Sequence, residues 1–325
     1  MKKANGIPWC EKYRPRNFDD IILETNNRQI FDNILKKDRF PHLLFYGPPG
    51  AGKTTSAENL INTYQEMHHK RNKETIIHLN ASDERGIEVI RNQIHQFVKC
   101  NNMFESGYKF VILDEVDYMT KNAQQALKNL LQNCNDNVRF CLICNYICKI
   151  DESLKNEFIC IRFNQLPEKE IVGFVRNIAT CEKLEISDET ICNIQKMFQS
   201  DVRSMVNFLQ LHQNDNAWDL YVINDVIWEE LYSLFLTCDD DNVIISWILN
   251  ITNYSGNMDI KTCIRKFFHF IITNHSEMVH CDILNIAETL LHPVETNEYM
   301  LPYFVSQLKK IMKDYKIESG KNLKE

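Results

Sequence analysis

Short apolar runs alternate with amphipathic stretches through the first half of the chain. Residues 42–46 form an apolar strand that runs straight into a glycine-rich turn, and a helix is predicted over about 53–69. A second strand is predicted over 75–79. A helix over about 87–103 follows, with Ile87, Ile90, Ile94 and Phe97 recurring at helical spacing. Strands at 108–113, 138–144 and 160–163, with a helix at 121–132, complete the alternation. Such a pattern predicts an α/β domain whose parallel sheet is covered on both faces.

From Pro167 onward the pattern is helical only. Pro167 fits a first helical position, with Glu168 and Glu170 in the first turn, where the helix dipole favours negative charge. Ser187-Asp188-Glu189 caps the next helix. The segment to about Gln213 reads as a three-helix unit, and Asn214-Asp215-Asn216 is the best boundary after it. About five further helices follow, broken at 239–242, 255–257, 274–276 and 292–293. The run Val243 to Leu249 is apolar on more than one face and needs burial, a partner subunit being one candidate. The predicted division is 1–165, 166–215 and 216–325.

The chain has 325 residues, enough for two or three domains, with 44% hydrophobic and 25% charged residues. No apolar run reaches membrane-spanning length, and the first residues lack a signal-peptide pattern, so an intracellular protein is expected. Twelve cysteines are scattered along it. Cys141 and Cys144 sit in an apolar strand with no second ligand pair at matched spacing, which points to packing rather than zinc. A net charge of −7 argues against a broad basic face that grips DNA unaided. The basic C-terminal stretch from Lys309 to Lys324 reads as a solvated helix face, or as a nucleic-acid tail.

Gly47-Pro48-Pro49-Gly50-Ala51-Gly52-Lys53-Thr54, followed by Thr55, matches G-x-x-x-x-G-K-[ST] between a strand and a helix. Its backbone N–H groups and the helix start would cradle phosphates. Lys53 would reach the β- and γ-phosphates of ATP, and Thr54 would ligate Mg²⁺. The strand at 108–113 delivers Asp114 and Glu115. Asp114 would hold Mg²⁺, and Glu115 would polarise the attacking water. Asn145, after the strand at 138–144, is placed to orient that water or the γ-phosphate. Arg203 opens the last helix of the three-helix unit and would sense the γ-phosphate. Each of these two equally fits a local cap or surface residue.

At these residues the chain resembles the small subunits of replication factor C, the AAA+ clamp loader. Trp9-Cys10-Glu11-Lys12-Tyr13-Arg14-Pro15 is similar to the family's N-terminal box, which implies that Tyr13, Arg14 and Pro15 lie along the nucleotide's base. Asn80-Ala81-Ser82-Asp83-Glu84-Arg85-Gly86-Ile87 resembles a second family box. Asn145-Tyr146 with Lys149-Ile150 resembles sensor 1, and Asp201-Val202-Arg203 resembles sensor 2. The similarity runs over about 8–213. It implies an ATPase domain, a helical lid and an oligomerising collar within a hetero-pentamer. It also implies a PCNA-like sliding clamp and primer–template DNA as partners, no membrane, and a nuclear location or, for a viral chain, the site of viral replication. Arg85, Arg91 and Lys149 match positions that track the duplex backbone. Read without the resemblance, Arg85 and Arg91 are solvated helix charges.

One departure stands out. The family's Ser-Arg-Cys box, whose arginine reaches the adjacent subunit's ATP site, falls after Leu154. The chain there reads Lys155-Asn156-Glu157-Phe158, with glutamate in the arginine's place. The alternative reading is a mainly structural ATP-binding subunit, in a clamp loader or in a checkpoint- or cohesion-type loader.

Overall fold

The computed structural model describes residues 6–37, 39–68, 73–82, 87–99, 107–214, 218, 224–254, 259–292 and 299–322. The chain divides into two compact units, one of Met1–Leu184 with Phe198–Gln213, the other of Glu185–Met197 with Asn214–Glu325.

In the first unit α1 (Trp9–Lys12) and α2 (Thr25–Lys36) precede a five-stranded sheet. Its strands are β1 (Leu43–Tyr46), β2 (Ile76–Asn80), β3 (Lys109–Asp114), β4 (Val138–Cys144) and β5 (Ile159–Arg162). Between them lie α3 (Lys53–His68), α4 (Ile87–Lys99), α5 (Lys121–Gln132) and the short α6 (Glu152–Lys155). All pairings are parallel and the strand order is β2-β3-β4-β1-β5.

The sheet's twofold alternation divides the core. Leu43, Phe45, Ile112 and Ile143 face α2 and α3 through Phe31, Ile34, Leu60 and Tyr64. Leu44, Val111, Leu142 and Cys144 face α4, α5 and α6 through Ile94, Leu127 and Leu154. Helices on both faces explain why these strands are apolar nearly throughout. Because the strands are parallel, β1, β3 and β4 deliver their carboxyl ends to one edge, where open α/β sheets bind ligands.

β3 ends on Asp114, one residue beyond the predicted strand, because Asn80 pairs with it across from β2. β5 begins at Ile159, which pairs with Leu43. Pro167 is not the first helical residue. Its ψ of 121° is extended, so it caps α7 (Glu168–Glu182), whose first residue is Glu168. The end of the helix predicted to run to 103 lies outside the described residues. α9 (Val202–Leu211) completes this unit, capped by the Asp201 side chain, which accepts from Ser204 N.

The second unit holds α8 (Asp188–Phe198), apart from its last residue, with α10 (Asp225–Thr237), α11 (Asp241–Tyr254), α12 (Ile260–Asn274), α13 (Cys281–Leu291) and α14 (Met300–Asn322). The boundary between units thus runs through the three-helix segment. Ser187 Oγ accepts from Thr190 N and caps α8, as its sequence predicts. Phe235, Phe267, Phe304 and Leu308 are the centre of an apolar core shared by α10, α12 and α14. α11 buries Ile244 and Ile248 and leaves Val243 and Leu249 at the surface. Two cations of the basic C-terminal stretch are fold contacts. Lys309 is buried and bonds the Asp239 carbonyl and the Asp241 carboxylate, while Lys313 pairs with Asp239. Among the described residues no helix is long and apolar enough to cross a membrane.

Candidate active site

The loop after β1 turns on glycines in the left-handed region, Gly47 at φ 145°, Gly50 at 72° and Gly52 at 83°. Two of them also allow close approach. A Cβ on Gly47 would stand 2.2 Å from the Phe163 carbonyl oxygen, and one on Gly50 would stand 1.9 Å from Asp201 Oδ1. A Cβ on Gly52 would meet nothing within 4 Å and would project into open space. Gly50, Ala51, Gly52, Lys53, Thr54 and Thr55 line a cavity of about 300 Å³, with Asp114, Glu115, Asn145 and Arg203 also on its wall.

The motifs meet there through hydrogen bonds. Lys53 is 7% exposed, and its Nζ donates to the carbonyls of Gly47 and Pro48 and to Asn145 Oδ1, each at 2.8 Å. Burial lowers its pKa, against the pull of Asp114. Thr54 Oγ1 donates to Asp114 Oδ2 at 2.6 Å, and Asp114 Oδ1 accepts from Glu115 N at 2.8 Å. Glu115 itself has φ 57° and ψ 37°. A left-handed conformation in a residue with a Cβ costs about 1–2 kcal/mol, and such strain concentrates at functional sites.

Asp117, not singled out from the sequence, is buried at 5% exposure, and its Oδ2 accepts from Tyr146 N at 3.3 Å. It ties the turn after β3 to the loop after β4. The N-terminal box is pinned on two sides. Tyr13 and Lys12 both bond the Glu182 carboxylate at the end of α7, and Arg14 and Pro15 are held by side chains of α3. Tyr13, Arg14 and Pro15 line the same cavity. Arg203, in the first turn of α9, is exposed.

Of the three cations matched to DNA contacts, Arg85 and the Arg91 side chain lie outside the described residues. Lys149 is exposed, with Nζ 5.3 Å from the centre of the Tyr118 ring and 5.1 Å from that of Tyr146. Cys141 and Cys144 are buried in β4, where burial pushes the Cys144 thiol up to about 12. They are packing groups.

Residues 43–165 match the model of the ATPase family associated with various cellular activities. Over 203 residues the chain is 41% identical to replication factor C small subunit 2 of Pyrobaculum islandicum, covering 62% of each protein. It is 34% identical over 284 residues to replication factor C subunit 5 of Mus musculus, covering 86% of this chain and 81% of the mouse protein. This chain belongs to the replication factor C subunit family. Replication factor C subunit 3 of Saccharomyces cerevisiae is 35% identical over 70% of this chain and 67% of its own length. The chain therefore spans just under two thirds of the archaeal relative and about four fifths of the mouse one. The Thermotoga maritima RuvB Holliday junction branch migration motor matches with a TM-score of 0.52 at 16% identity over 86% of this chain and 85% of that one, a likeness of fold alone. The first unit of this replication factor C relative thus carries an AAA ATPase domain.

Proposed function

We propose that this chain is an ATP-binding and hydrolysing subunit of a clamp loader that opens a ring-shaped, PCNA-like clamp and places it on primer–template DNA. The observation that carries the reading is the meeting of three strand ends in one cavity. The loop after β1 supplies Lys53 and Thr54, β3 supplies Asp114 and Glu115, and β4 supplies Asn145. The relatives named replication factor C subunits support the clamp-loading part.

The residues present fit ATP with Mg²⁺. Hard oxygen donors on Thr54 and Asp114, 2.6 Å apart, suit Mg²⁺, and the open space beside Gly52 suits phosphate oxygens. Bound together, the nucleotide and metal would supply a transferable phosphoryl group and neutralise its charge. Lys53 and the N–H groups of Gly47, Gly50 and the loop residues after it hold the phosphates as the loop geometry directs. Pro48 and Pro49 have no N–H, so only their carbonyls and ring shape contribute. Glu115 accepts the proton of the attacking water at its carboxylate, Asn145 orients that water, and Arg203 reads the γ-phosphate. Tyr13, Arg14 and Pro15 flank the base.

Residues 1–165 then form the ATPase domain, 166–215 the lid and 216–325 the collar that joins the other subunits of a pentamer. Arg85, Arg91 and Lys149 contact DNA phosphates, giving affinity without sequence preference. Glu157 offers no arginine finger to the neighbouring site. A nuclear setting goes with this reading. The test is Glu115→Gln in the reconstituted complex, which should bind clamp and ATP but release the loaded clamp slowly. In the same assay Arg85→Glu with Arg91→Glu should flatten the salt dependence of DNA stimulation by about one counterion per lost contact. Wild-type loading by the Glu115→Gln complex would instead favour a structural ATP-binding subunit.

A further inference from the structure

Side chains on one face of α3 grip the segment that borders the cavity from the N-terminal side. Thr55, Glu58 and Asn59 stand at i, i+3 and i+4, neighbours on a helix surface. Arg14 Nε donates to Thr55 Oγ1 at 3.1 Å, and Arg14 Nη2 donates to Glu58 Oε2 at 2.9 Å. Asn59 Nδ2 donates to the Pro15 carbonyl at 3.1 Å. The second Glu58 oxygen, Oε1, lies 3.1 Å from His78 Nδ1 on β2. Arg14, Pro15 and Thr55 line the cavity, whereas Glu58 and His78 are not on its lining.

Glu58 is the member of this cluster that bonds both ways, to Arg14 and to His78. Its burial alone would raise its pKa, yet the His78 hydrogen bond and the Arg14 charge hold it below the usual carboxylate range. The other carboxylate near Arg14, Glu11, lies 3.8 Å away with its side chain 60% exposed, a weaker hold. Charge-assisted hydrogen bonds in a half-buried setting fix a guanidinium more firmly than exposed ones.

We infer that Glu58, braced by His78, is a positioning residue for nucleotide binding. It fixes the Arg14 guanidinium, and with it the segment Tyr13-Arg14-Pro15, against the cavity, and so governs how tightly nucleotide is retained. It acts through Arg14 and not on the reacting water, because Glu115 and Asn145 line the cavity and Glu58 does not. The inference rests on the proposed reading of this cavity as an ATP site.

The test titrates the full-length chain with a fluorescent ATP analogue and measures ATP turnover in the assembled complex. Glu58→Gln keeps the size of the side chain and removes its charge. It should weaken analogue binding by roughly tenfold, the usual weight of a charge-assisted bond, and raise KM while leaving kcat within about twofold. Arg14→Gln should show at least this binding loss, and the double variant should be no worse than Arg14→Gln alone, since Glu58 acts through Arg14. Glu58→Asp should recover part of the affinity. The unfolding temperature of Glu58→Gln should fall by a few degrees at most, as the lost ion pair requires, so the KM-against-kcat split and the Glu58→Asp recovery are the readouts that a merely structural role would not move. Wild-type binding by Glu58→Gln, or losses that add in the double variant, would overturn the inference while leaving the ATP site intact. A wild-type chain that binds no analogue would overturn the reading of the site itself.

Discussion

Lys53 Nζ donates to Asn145 Oδ1 at 2.8 Å, joining residues 92 positions apart in the sequence. The bond exists because β1 and β4 are adjacent and parallel, with Tyr46 paired to Cys144, so the loops that follow them start side by side. The cation proposed to bind phosphate and the amide proposed to orient water are thereby held in one frame.

Lys53→Ala removes the one donor that serves three acceptors in this frame. Alanine is the best helix former and Lys53 begins α3, so the fold should persist. Nucleotide affinity and turnover should each fall by roughly a hundredfold, as for loss of a preorganised electrostatic group. Asn145→Ala should slow turnover with a smaller effect on affinity. A fluorescent-nucleotide titration beside steady-state kinetics checks both.

Glu115 combines a carboxylate with a left-handed backbone, and substitution can separate the two. Glu115→Gln should lower the hydrolysis rate by about 10²–10⁴, the range for loss of general-base catalysis, with ATP affinity kept. Glu115→Gly and Glu115→Ala should be equally inactive. Their stabilities should differ in the direction opposite to an ordinary helix or strand position, with glycine the more stable by about 1 kcal/mol, since alanine keeps the Cβ that the conformation penalises. Urea denaturation of the two variants measures this, and equal or reversed stabilities would contradict the strain.

Gly50→Ala should destabilise the first unit. The new Cβ would lie 1.9 Å from Asp201 Oδ1 and 3.1 Å from Asp201 Cα, so both side chain and backbone must shift. The displaced Oδ1 is the cap of α9, accepting from Ser204 N at 3.0 Å. Losing a cap costs about 1 kcal/mol, and left-handed strain adds about 1–2 kcal/mol. Adding Asp201→Ala should relieve the clash and leave the backbone strain, so the double variant should be less destabilised than the sum of its parts. Chemical denaturation reads the coupling directly.

The phosphate loop, Asp114 and Glu115 were legible in the sequence because their chemistry is local. A run of glycines followed by Lys-Thr dictates its own backbone, and an apolar strand ending in two acids announces its end. Asn145 and Arg203 were legible as candidates only. What puts Asn145 on the cavity wall is the strand order β2-β3-β4-β1-β5, and Arg203 comes there with the close approach of Asp201 to Gly50, neither of which any periodicity encodes. The contacts of Asp117 with Tyr146, of Asp201 with Gly50 and of Glu58 with His78 were illegible for the same reason. Each joins elements that are distant in sequence and meet only after the sheet has formed. Pro167 shows a finer limit, since its ring fixes φ but leaves ψ open, and ψ decides whether it starts or precedes a helix.

His42 should make stability depend on acid pH. Its Nδ1 accepts from Phe140 N at 3.1 Å, and its ring lies 5.8 Å from those of Phe140 and Phe158. Burial, aided by the nearby Arg139 charge, lowers its pKa from 6.5 to about 4. The folded value is below the unfolded one, so the unfolded chain binds the proton first. The contribution is complete above about pH 6.5 and is lost as pH falls toward 4, with a slope of at most ~1.4 kcal/mol per pH unit that residual solvent contact of the partly buried ring reduces. His42→Asn keeps an acceptor for Phe140 N and removes the titration. The difference in unfolding free energy between wild type and this variant should therefore shrink from pH 7 to pH 4, and a constant difference would exclude the assignment.

The last prediction concerns the neighbouring subunit's site. Glu157 follows α6, is exposed, and accepts from Gln132 Nε2 at 3.3 Å, which ties it to the end of α5. An arginine finger stabilises charge on a transferring phosphoryl group and is worth about 10³–10⁵ in rate. A carboxylate in that place sets like charge against the phosphates, which is costly where water is partly excluded. The cations able to substitute are Lys155, the last residue of α6, and Arg162, the last residue of β5. Lys155 comes before Glu157, and Arg162 is held by pairing with Tyr46 at the edge of the sheet. On the proposed reading, in which Glu157 stands in the place of the family's arginine, neither substitutes for it. Lys155→Ala with Arg162→Ala should therefore leave hydrolysis at the neighbouring site unchanged in an assembled complex, with each site measured separately. Glu157→Arg should raise it by about tenfold or more, a part of what a finger supplies. A drop of roughly a hundredfold in the double variant would show that one of these cations acts as the finger.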